Sequence, residues 1–181
     1  MNKILSLFLT ITLFTGFTSD TNQFIARQGH ISFFSYASME NIEAQNNQVL
    51  SILDLKNKKI AVSMLMSAFV FKKDLMYEHF NESYIESDIY PKATFEGDII
   101  DLEPSLNKQT KIARGNLTIH GITKEIDIKI TIEKINKTYT ISGEYNVFVK
   151  DFDIKIPPIL SSNIAKIITI KFSFQYQSYE G

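Results

Sequence analysis

The clearest pattern in the chain is an alternation of apolar and polar positions over residues 124–133. Isoleucine occupies every second position from Ile126 to Ile132, and the positions between carry charged or hydroxyl side chains. Successive side chains of a β-strand point to opposite faces, so a period of two predicts a strand with one dry and one wet face.

The same period recurs along most of the chain. It predicts strands at 29–36, 49–55, 60–71, 93–102 and 116–120. Residues 39–47 are polar and fit either a hairpin connection or a twisted strand. Two further dry faces are formed by Tyr139, Ile141, Tyr145, Val147 and Val149, and by Ile168, Ile170, Phe172, Phe174 and Tyr176.

Residues 72–81 break this alternation, because their apolar side chains fall at helical spacing. We predict one short helix there. His120-Gly121 predicts a tight turn, since glycine tolerates positive φ. Seven to nine strands with short connections predict an antiparallel barrel or a sandwich, and the pattern alone does not choose between them.

Composition supports a β-rich fold and narrows the function. The chain has 14 phenylalanines and 8 tyrosines but no tryptophan, and aromatic residues favour sheets. Its 19 lysines and arginines nearly balance 20 acidic residues, which argues against a nucleic-acid partner. With no cysteine, disulfides, thiol chemistry and a lipoprotein amino terminus are excluded.

The amino terminus has the layout of a secretory signal peptide. Lys3 is followed by an uncharged apolar run at 4–14 and by small residues before Asp20. We therefore predict a signal peptide at 1–19 and one mature domain at 20–181, exported to the periplasm or secreted. The alternative is a first strand or buried helix. No later segment is long and apolar enough to predict a membrane helix.

Candidate catalytic chemistry is sparse. The three histidines, His30, His79 and His120, are far apart in sequence and form no metal-ligand spacing. There is no GxSxG elbow, so we expect neither a metal site nor an enzyme. His79 beside Glu78 is a polar site that could contact a ligand head group, and the alternative is a histidine on the helix surface.

Three motifs resemble those of the YceI-like family. Residues 78–84 (EHFNESY) match its Phe-rich segment, 88–95 (DIYPKATF) its acidic-x-Tyr-Pro run, and 115–124 (GNLTIHGITK) its Gly-x-Leu-Thr hairpin. The similarity spans roughly 29–176. Lys72-Lys73-Asp74 only approximates the family's Arg-Asp pair, and 149–160 lacks the Arg-containing segment of the commoner subgroup. The chain therefore resembles a divergent subgroup.

The resemblance implies a lipocalin-like antiparallel β-barrel of about eight strands, with one short helix near its mouth. It also implies a polyisoprenoid or quinone-type lipid in the lumen, with no other cofactor. The alternative is a filled barrel that acts as an interaction or stress-response module, and a homodimer stays open. The expected ligand-binding residues are Phe33, Val62, Met64, Met66, Leu75, Met76, Phe80, Tyr84, Phe95, Ile128, Ile130, Tyr145, Val147, Ile170 and Phe172.

Overall fold

The computed structural model describes residues 22–36, 41–156 and 166–179. The predicted signal peptide lies outside these residues. The helix α1 covers Asp74–His79 and continues into a π-helical turn, Phe80–Tyr84; short 3₁₀ turns cover Met66–Ala68 and Val149–Phe152. The strands are β1 (Gln23–Ser35), β2 (Ile42–Asp54), β3 (Lys59–Leu65), β4 (Val70–Phe71), β5 (Lys92–Ile99), β6 (Lys108–Ile119), β7 (Ile122–Ile135), β8 (Thr138–Phe148) and β9 (Ile167–Ser178).

Eight strands form a closed antiparallel barrel. Their order is β1-β9-β8-β7-β6-β5-β3-β2, and β2 pairs back onto β1. The two-residue strand β4 pairs with β2 near Ala44. Closure leaves one face of each strand inside, which is why the alternation is so regular. The predicted barrel with one short helix is confirmed.

Several element boundaries differ from the prediction. The sequence allowed residues 39–47 to be either a hairpin connection or a twisted strand. The structure places residues 42–47 in the long strand β2. The predicted strand 60–71 ends instead at Leu65 and turns through Met66–Ala68. Two hydrogen bonds hold this bend: Asn46 Nδ2 donates to the Leu65 carbonyl at 2.9 Å, and the Met66 amide donates to the Pro91 carbonyl at 2.9 Å.

Strand β6 begins well before the predicted strand 116–120. The prediction missed its first half because the inward positions there do not carry the usual large hydrophobic side chains. Gln109 and Ala113 face inward and are buried. The Gln109 amide satisfies both of its polar atoms on the backbone of Glu103, donating to its carbonyl at 2.8 Å and accepting from its amide at 3.0 Å. A buried polar side chain with full hydrogen bonding is stable but invisible to a hydrophobicity pattern.

The two ends of the barrel differ. We call the end with the β1–β2, β3–β5, β6–β7 and β8–β9 connections the mouth end, and the opposite end the closed end. Large side chains fill the closed end. Each of the following is 1% exposed or less: Leu53, Ile99, Leu102, Ile141 and Tyr176. The inside of the barrel is therefore tightly filled at the closed end.

Tyr176 provides a pH-dependent contribution at the closed end. Ser51 Oγ donates to the Ala61 carbonyl at 2.9 Å, so the Tyr176 hydroxyl donates to Ser51 Oγ at 2.6 Å. Burial raises the pKa of Tyr176 far above its ordinary value of 10.0. The unfolded chain then loses this proton above about pH 10 while the fold keeps it, so the stabilising contribution is present below pH 10 and declines as the pH rises.

Replacing Tyr176 with phenylalanine is expected to lower the free energy of unfolding by about 1 kcal/mol at neutral pH, because one hydrogen bond is lost. Near pH 11 the difference between the variant and the wild type should shrink or reverse. Urea unfolding at both pH values measures this. Tyr179→Phe, which changes a tyrosine that is 39% exposed, is the control. An unchanged difference at the two pH values would contradict the assignment.

Strands β7 and β8 pair over only part of their length. Their ladder runs from Ile135–Thr138 to Ile130–Gly143, and the described ladder has no pairing between 122–129 and 144–148. Gly143 lies at the last pair. A Cβ there would lie 2.7 Å from the Lys129 carbonyl oxygen and 2.6 Å from Phe172 Cζ. The turn Val149–Phe152, which buries Val149 and Phe152, contacts both β7 and β8.

Candidate functional site

The barrel encloses a cavity of about 70 Å³ whose wall presents only apolar atoms. Alternate, inward-facing positions of seven strands supply the lining, so the site follows directly from the strand period. The lining side chains are Ile31, Ile60, Val62, Met64, Phe95, Ala113, Leu117, Ile128, Ile130, Tyr145, Ile170, Phe172 and Phe174.

Eight of the predicted ligand-binding residues line this cavity. They come from five strands and so converge only in the folded barrel. Apolar character at the inward phase of each strand was the signal that identified them. They are Val62, Met64, Phe95, Ile128, Ile130, Tyr145, Ile170 and Phe172.

The structure places the other seven predicted residues away from the cavity wall. Phe33, Met66 and Val147 are buried in the surrounding core. Phe80 is half-buried against that core, and Met76 and Tyr84 are half-buried in the helical segment. Leu75 is 60% exposed on α1. Their positions do not decide whether these seven residues contact a bound ligand. For each of them, such a contact at the mouth stays a prediction.

Five lining residues were missed by the sequence prediction: Ile31, Ile60, Ala113, Leu117 and Phe174. Three of them could have been found. Ile31, Ile60 and Phe174 share the alternation phase of residues already chosen on the same strands. Ala113 carries no comparable signal, because a small side chain at an inward position looks the same as one facing solvent.

A cluster of aromatic rings closes part of the mouth end. Phe80, in the π-helical turn, stacks on Phe33 with ring centroids 5.6 Å apart. Its ring also lies 5.7 Å from that of Phe69 and 5.0 Å from that of Phe71. The helix α1 itself buries no residue. The helical segment is therefore held on the barrel chiefly by the turn that follows α1.

The remainder of the cavity wall is less enclosed. Met64, Tyr145, Ile170 and Phe172 are half-buried, although each packs against the core. Burial, and to a smaller extent the charge of Asp151, raises the pKa of the Tyr145 hydroxyl. The lining therefore stays uncharged at physiological pH, which suits an apolar occupant.

His120, rather than His79, has a defined polar environment. Its Nε2 lies 2.8 Å from Glu86 Oε2 and its Nδ1 lies 3.1 Å from the carbonyl oxygen of Phe152. Its ring meets that of Tyr90 edge-on, with centroids 4.4 Å apart. These contacts join three segments at the mouth end. His79 is exposed on α1, so the suggested head-group contact by His79 remains only a prediction.

The predicted tight turn between β6 and β7 is confirmed. His120 and Gly121 both have positive φ, 49° and 73°, as a two-residue hairpin connection requires. A Cβ on Gly121 would lie 2.6 Å from Tyr90 Cε1. The glycine therefore allows Tyr90 to pack over the turn and complete the environment of His120.

Among the described residues, no group of three or more His, Cys, Asp or Glu side chains could hold a metal ion. Within the same ranges, no helix has the length and apolar character needed to cross a membrane.

The family model described as the YceI-like domain matches residues 20–176. The chain belongs to this family. Solved structures share the barrel of this YceI-like domain: a polyisoprenoid binding domain from Saccharophagus degradans is 11% identical, with a TM-score of 0.74, covering 88% of this chain and 99% of that one. No curated protein matches the chain.

Two further structures are similar to the YceI-like domain described here. BcnA from Burkholderia cenocepacia is 18% identical with a TM-score of 0.70, covering 81% of this chain and 95% of that one. The YCEI protein of Campylobacter jejuni is 18% identical with a TM-score of 0.63, covering 79% and 88%. At these identities the likeness shows the fold, and the ligand has to be argued from the site.

Proposed function

We propose that the barrel binds a polyisoprenoid or a similar long apolar ligand in its lumen. The observation that carries the proposal is the cavity wall, which presents only apolar atoms from seven strands. Burial of apolar surface stabilises such a complex by about 0.8 kcal/mol per CH₂ group. The polyisoprenoid binding domain from Saccharophagus degradans, which has the same fold, supports this ligand class.

The size of the cavity adds a requirement. At about 70 Å³ it is smaller than the roughly 150 Å³ apolar cavity that accepts benzene in an engineered protein. A long chain therefore enters only if lining side chains move outward. Met64 and Phe172 are half-buried at the less enclosed part of the wall, and methionine adapts readily to an irregular partner.

The same small volume favours a second candidate function, in which the barrel is filled by its own side chains and its outer surface binds a partner. Exposed apolar side chains offer such a surface at Val70, Leu75 and Ile89, which are 60%, 60% and 66% exposed. A second copy of the chain is one such partner. The two candidates differ in whether the lumen ever takes up a ligand.

The proposal includes export and the absence of catalysis. The layout of residues 1–19 supports a secretory signal peptide and a periplasmic or secreted mature protein. An apolar lumen with no ionisable group in its wall other than the Tyr145 hydroxyl supports a binding protein. We propose no cofactor beyond the bound lipid itself.

Native mass spectrometry of the protein purified from its exported fraction tests the proposal. We expect a co-purifying apolar mass of several hundred daltons that organic solvent releases. Recovery of the protein from the cytoplasm with residues 1–19 attached would contradict export. A protein that is empty, and that stays empty after incubation with long-chain polyprenols and quinones, would support the filled-barrel candidate instead.

A further inference from the structure

Both ring nitrogens of His120 face an oxygen acceptor. Nε2 lies 2.8 Å from a carboxylate oxygen of Glu86, and Nδ1 lies 3.1 Å from the carbonyl oxygen of Phe152. A neutral imidazole has one N–H donor and one lone pair, whereas the imidazolium has two donors. A carbonyl oxygen and an ionised carboxylate can only accept. Both contacts are therefore hydrogen bonds only when His120 carries a positive charge.

The three segments that meet at His120 have an unusual backbone conformation there. The His120 side chain is 10% exposed, and the ring of Tyr90 meets it edge-on. The backbone is left-handed at His120 and at Glu86, where φ is 49°, and at Asp153, next to Phe152, where φ is 51°. Positive φ is uncommon outside glycine and persists where surrounding contacts support it. The contacts of His120 therefore support the backbone of all three segments.

Loss of a proton from His120 removes one of the two hydrogen bonds. A proton kept on Nε2 retains the bond to the Glu86 carboxylate, which is charge-assisted and therefore the stronger of the two. The Nδ1 lone pair then faces the lone pairs of the Phe152 carbonyl oxygen, 3.1 Å away, and this contact becomes repulsive. The contact with the turn Val149–Phe152 is therefore the one that is lost.

We propose that His120 is a pH-sensitive latch for the turn Val149–Phe152. Histidine side chains ordinarily change charge between about pH 5 and 8, where carboxyl groups are ionised. At the acidic end of this interval the ring is charged and holds the turn; at the basic end it is neutral and releases the turn, while its bond to Glu86 persists. The turn contacts both β7 and β8. The latch thus links pH to the packing of the strands that supply Ile130 and Tyr145 to the cavity wall.

The Glu86 carboxylate dominates the charge that the ring meets, because it lies within hydrogen-bond distance. Tyr90 touches the ring, and tyrosine is ordinarily uncharged between about pH 5 and 8. The other charged groups on the neighbouring elements are exposed, so solvent and salt screen them from the ring. They are Asp88 in the segment that contains Glu86, Lys92 on β5, Lys124 on β7, and Lys150, Asp151 and Asp153 in the turn and directly after it.

Amide hydrogen exchange measured by NMR at about pH 5 and pH 8 tests the latch, and the protein without ligand suffices. The reporter is the Val149 amide, which donates to the Lys166 carbonyl at 3.1 Å. We expect its protection, corrected for the intrinsic effect of pH on exchange, to be about tenfold lower at the higher pH, as the loss of one hydrogen bond implies. The Tyr90 amide, which donates to the Glu86 carbonyl at 2.9 Å, is the internal control and should keep its protection.

Two variants assign the effect to His120. His120→Asn removes the titrating ring, and asparagine suits the left-handed conformation, so protection of the Val149 amide should be low at both pH values. His79→Asn, which changes an exposed histidine on α1, should behave as the wild type does.

The nitrogen chemical shifts of the imidazole give an independent measure of the latch. They should show both nitrogens of His120 protonated at about pH 5 and Nε2 alone protonated at about pH 8. A ring that is already neutral at the lower pH overturns the latch, and this measurement needs no variant. Equal protection of the Val149 amide at both pH values, or a loss of protection with pH that remains in His120→Asn, overturns it as well.

Discussion

Replacing Met64 with lysine is expected to abolish ligand uptake. Met64 lines the cavity and is half-buried, so the variant can fold with its ammonium group near the mouth. A ligand chain in the lumen would remove water from that charge without offering a partner, which costs several kcal/mol. We expect affinity for a long-chain polyprenol to fall by at least about 100-fold, measured by native mass spectrometry.

Two controls separate charge from shape and position. Met64→Leu keeps an apolar side chain of similar volume and should retain affinity within about fivefold. Leu65→Lys places the same charge one residue along β3, where the side chain is 42% exposed, and should bind normally. Normal uptake by a folded Met64→Lys variant would mean that the ligand occupies a different site.

Replacing Gly115 with valine is expected to lower the free energy of unfolding by roughly 3 kcal/mol or more, near the upper end for overpacking substitutions. Gly115 pairs with Gly97 across β5 and β6. A Cβ on Gly115 would lie 2.1 Å from the Glu96 carbonyl oxygen and 2.4 Å from Gly97 Cα. Backbone atoms cannot rotate away as a side chain can, so the two strands must separate. Urea unfolding measures the loss.

Asn116→Val is the matched control, because it introduces the same side chain at the next, exposed position of β6. It should change the free energy of unfolding by no more than about 0.5 kcal/mol. A Gly115→Val protein as stable as the control would show that β5 and β6 do not approach as closely as the structure indicates.

The strands of the barrel could be predicted from the sequence wherever the two faces of a strand differ from each other in polarity. The four isoleucines at 126–132 lie inward on β7, as their period requires. The prediction failed where a local hydrogen bond overrode the pattern. The bend after Leu65, held by Asn46 and Pro91, interrupts a run of apolar residues that reads as one continuous strand.

The candidate site was predictable to the extent that it repeats the strand period. Val62 and Ile130 follow that period and line the cavity. Phe33 follows it too, but its ring packs within the aromatic cluster. Phase along a strand gives the inward direction, whereas position along the barrel axis depends on the register between strands, which one sequence does not show.

Polar features of the site were the least predictable. Asn81 and His120 each occur within a motif that resembles the family pattern. The polar environment of His120 depends on partners distant in the chain, Glu86 and the carbonyl oxygen of Phe152, and Asn81 Oδ1 has no donor among the described residues. A sequence pattern gives residue types and spacings, but it does not show which polar atoms meet in the folded chain.

The partial pairing of β7 with β8 has a mechanical consequence. Wherever neighbouring strands are paired, widening the wall means breaking the hydrogen bonds of their ladder. Between 122–129 and 144–148 there is no such ladder to break, so the sheet can unroll at this gap while its other pairings persist. The barrel can therefore open most readily beyond the pair Ile130–Gly143, where the described β7–β8 ladder ends. Widening the lumen at this gap therefore breaks no ladder hydrogen bond between β7 and β8.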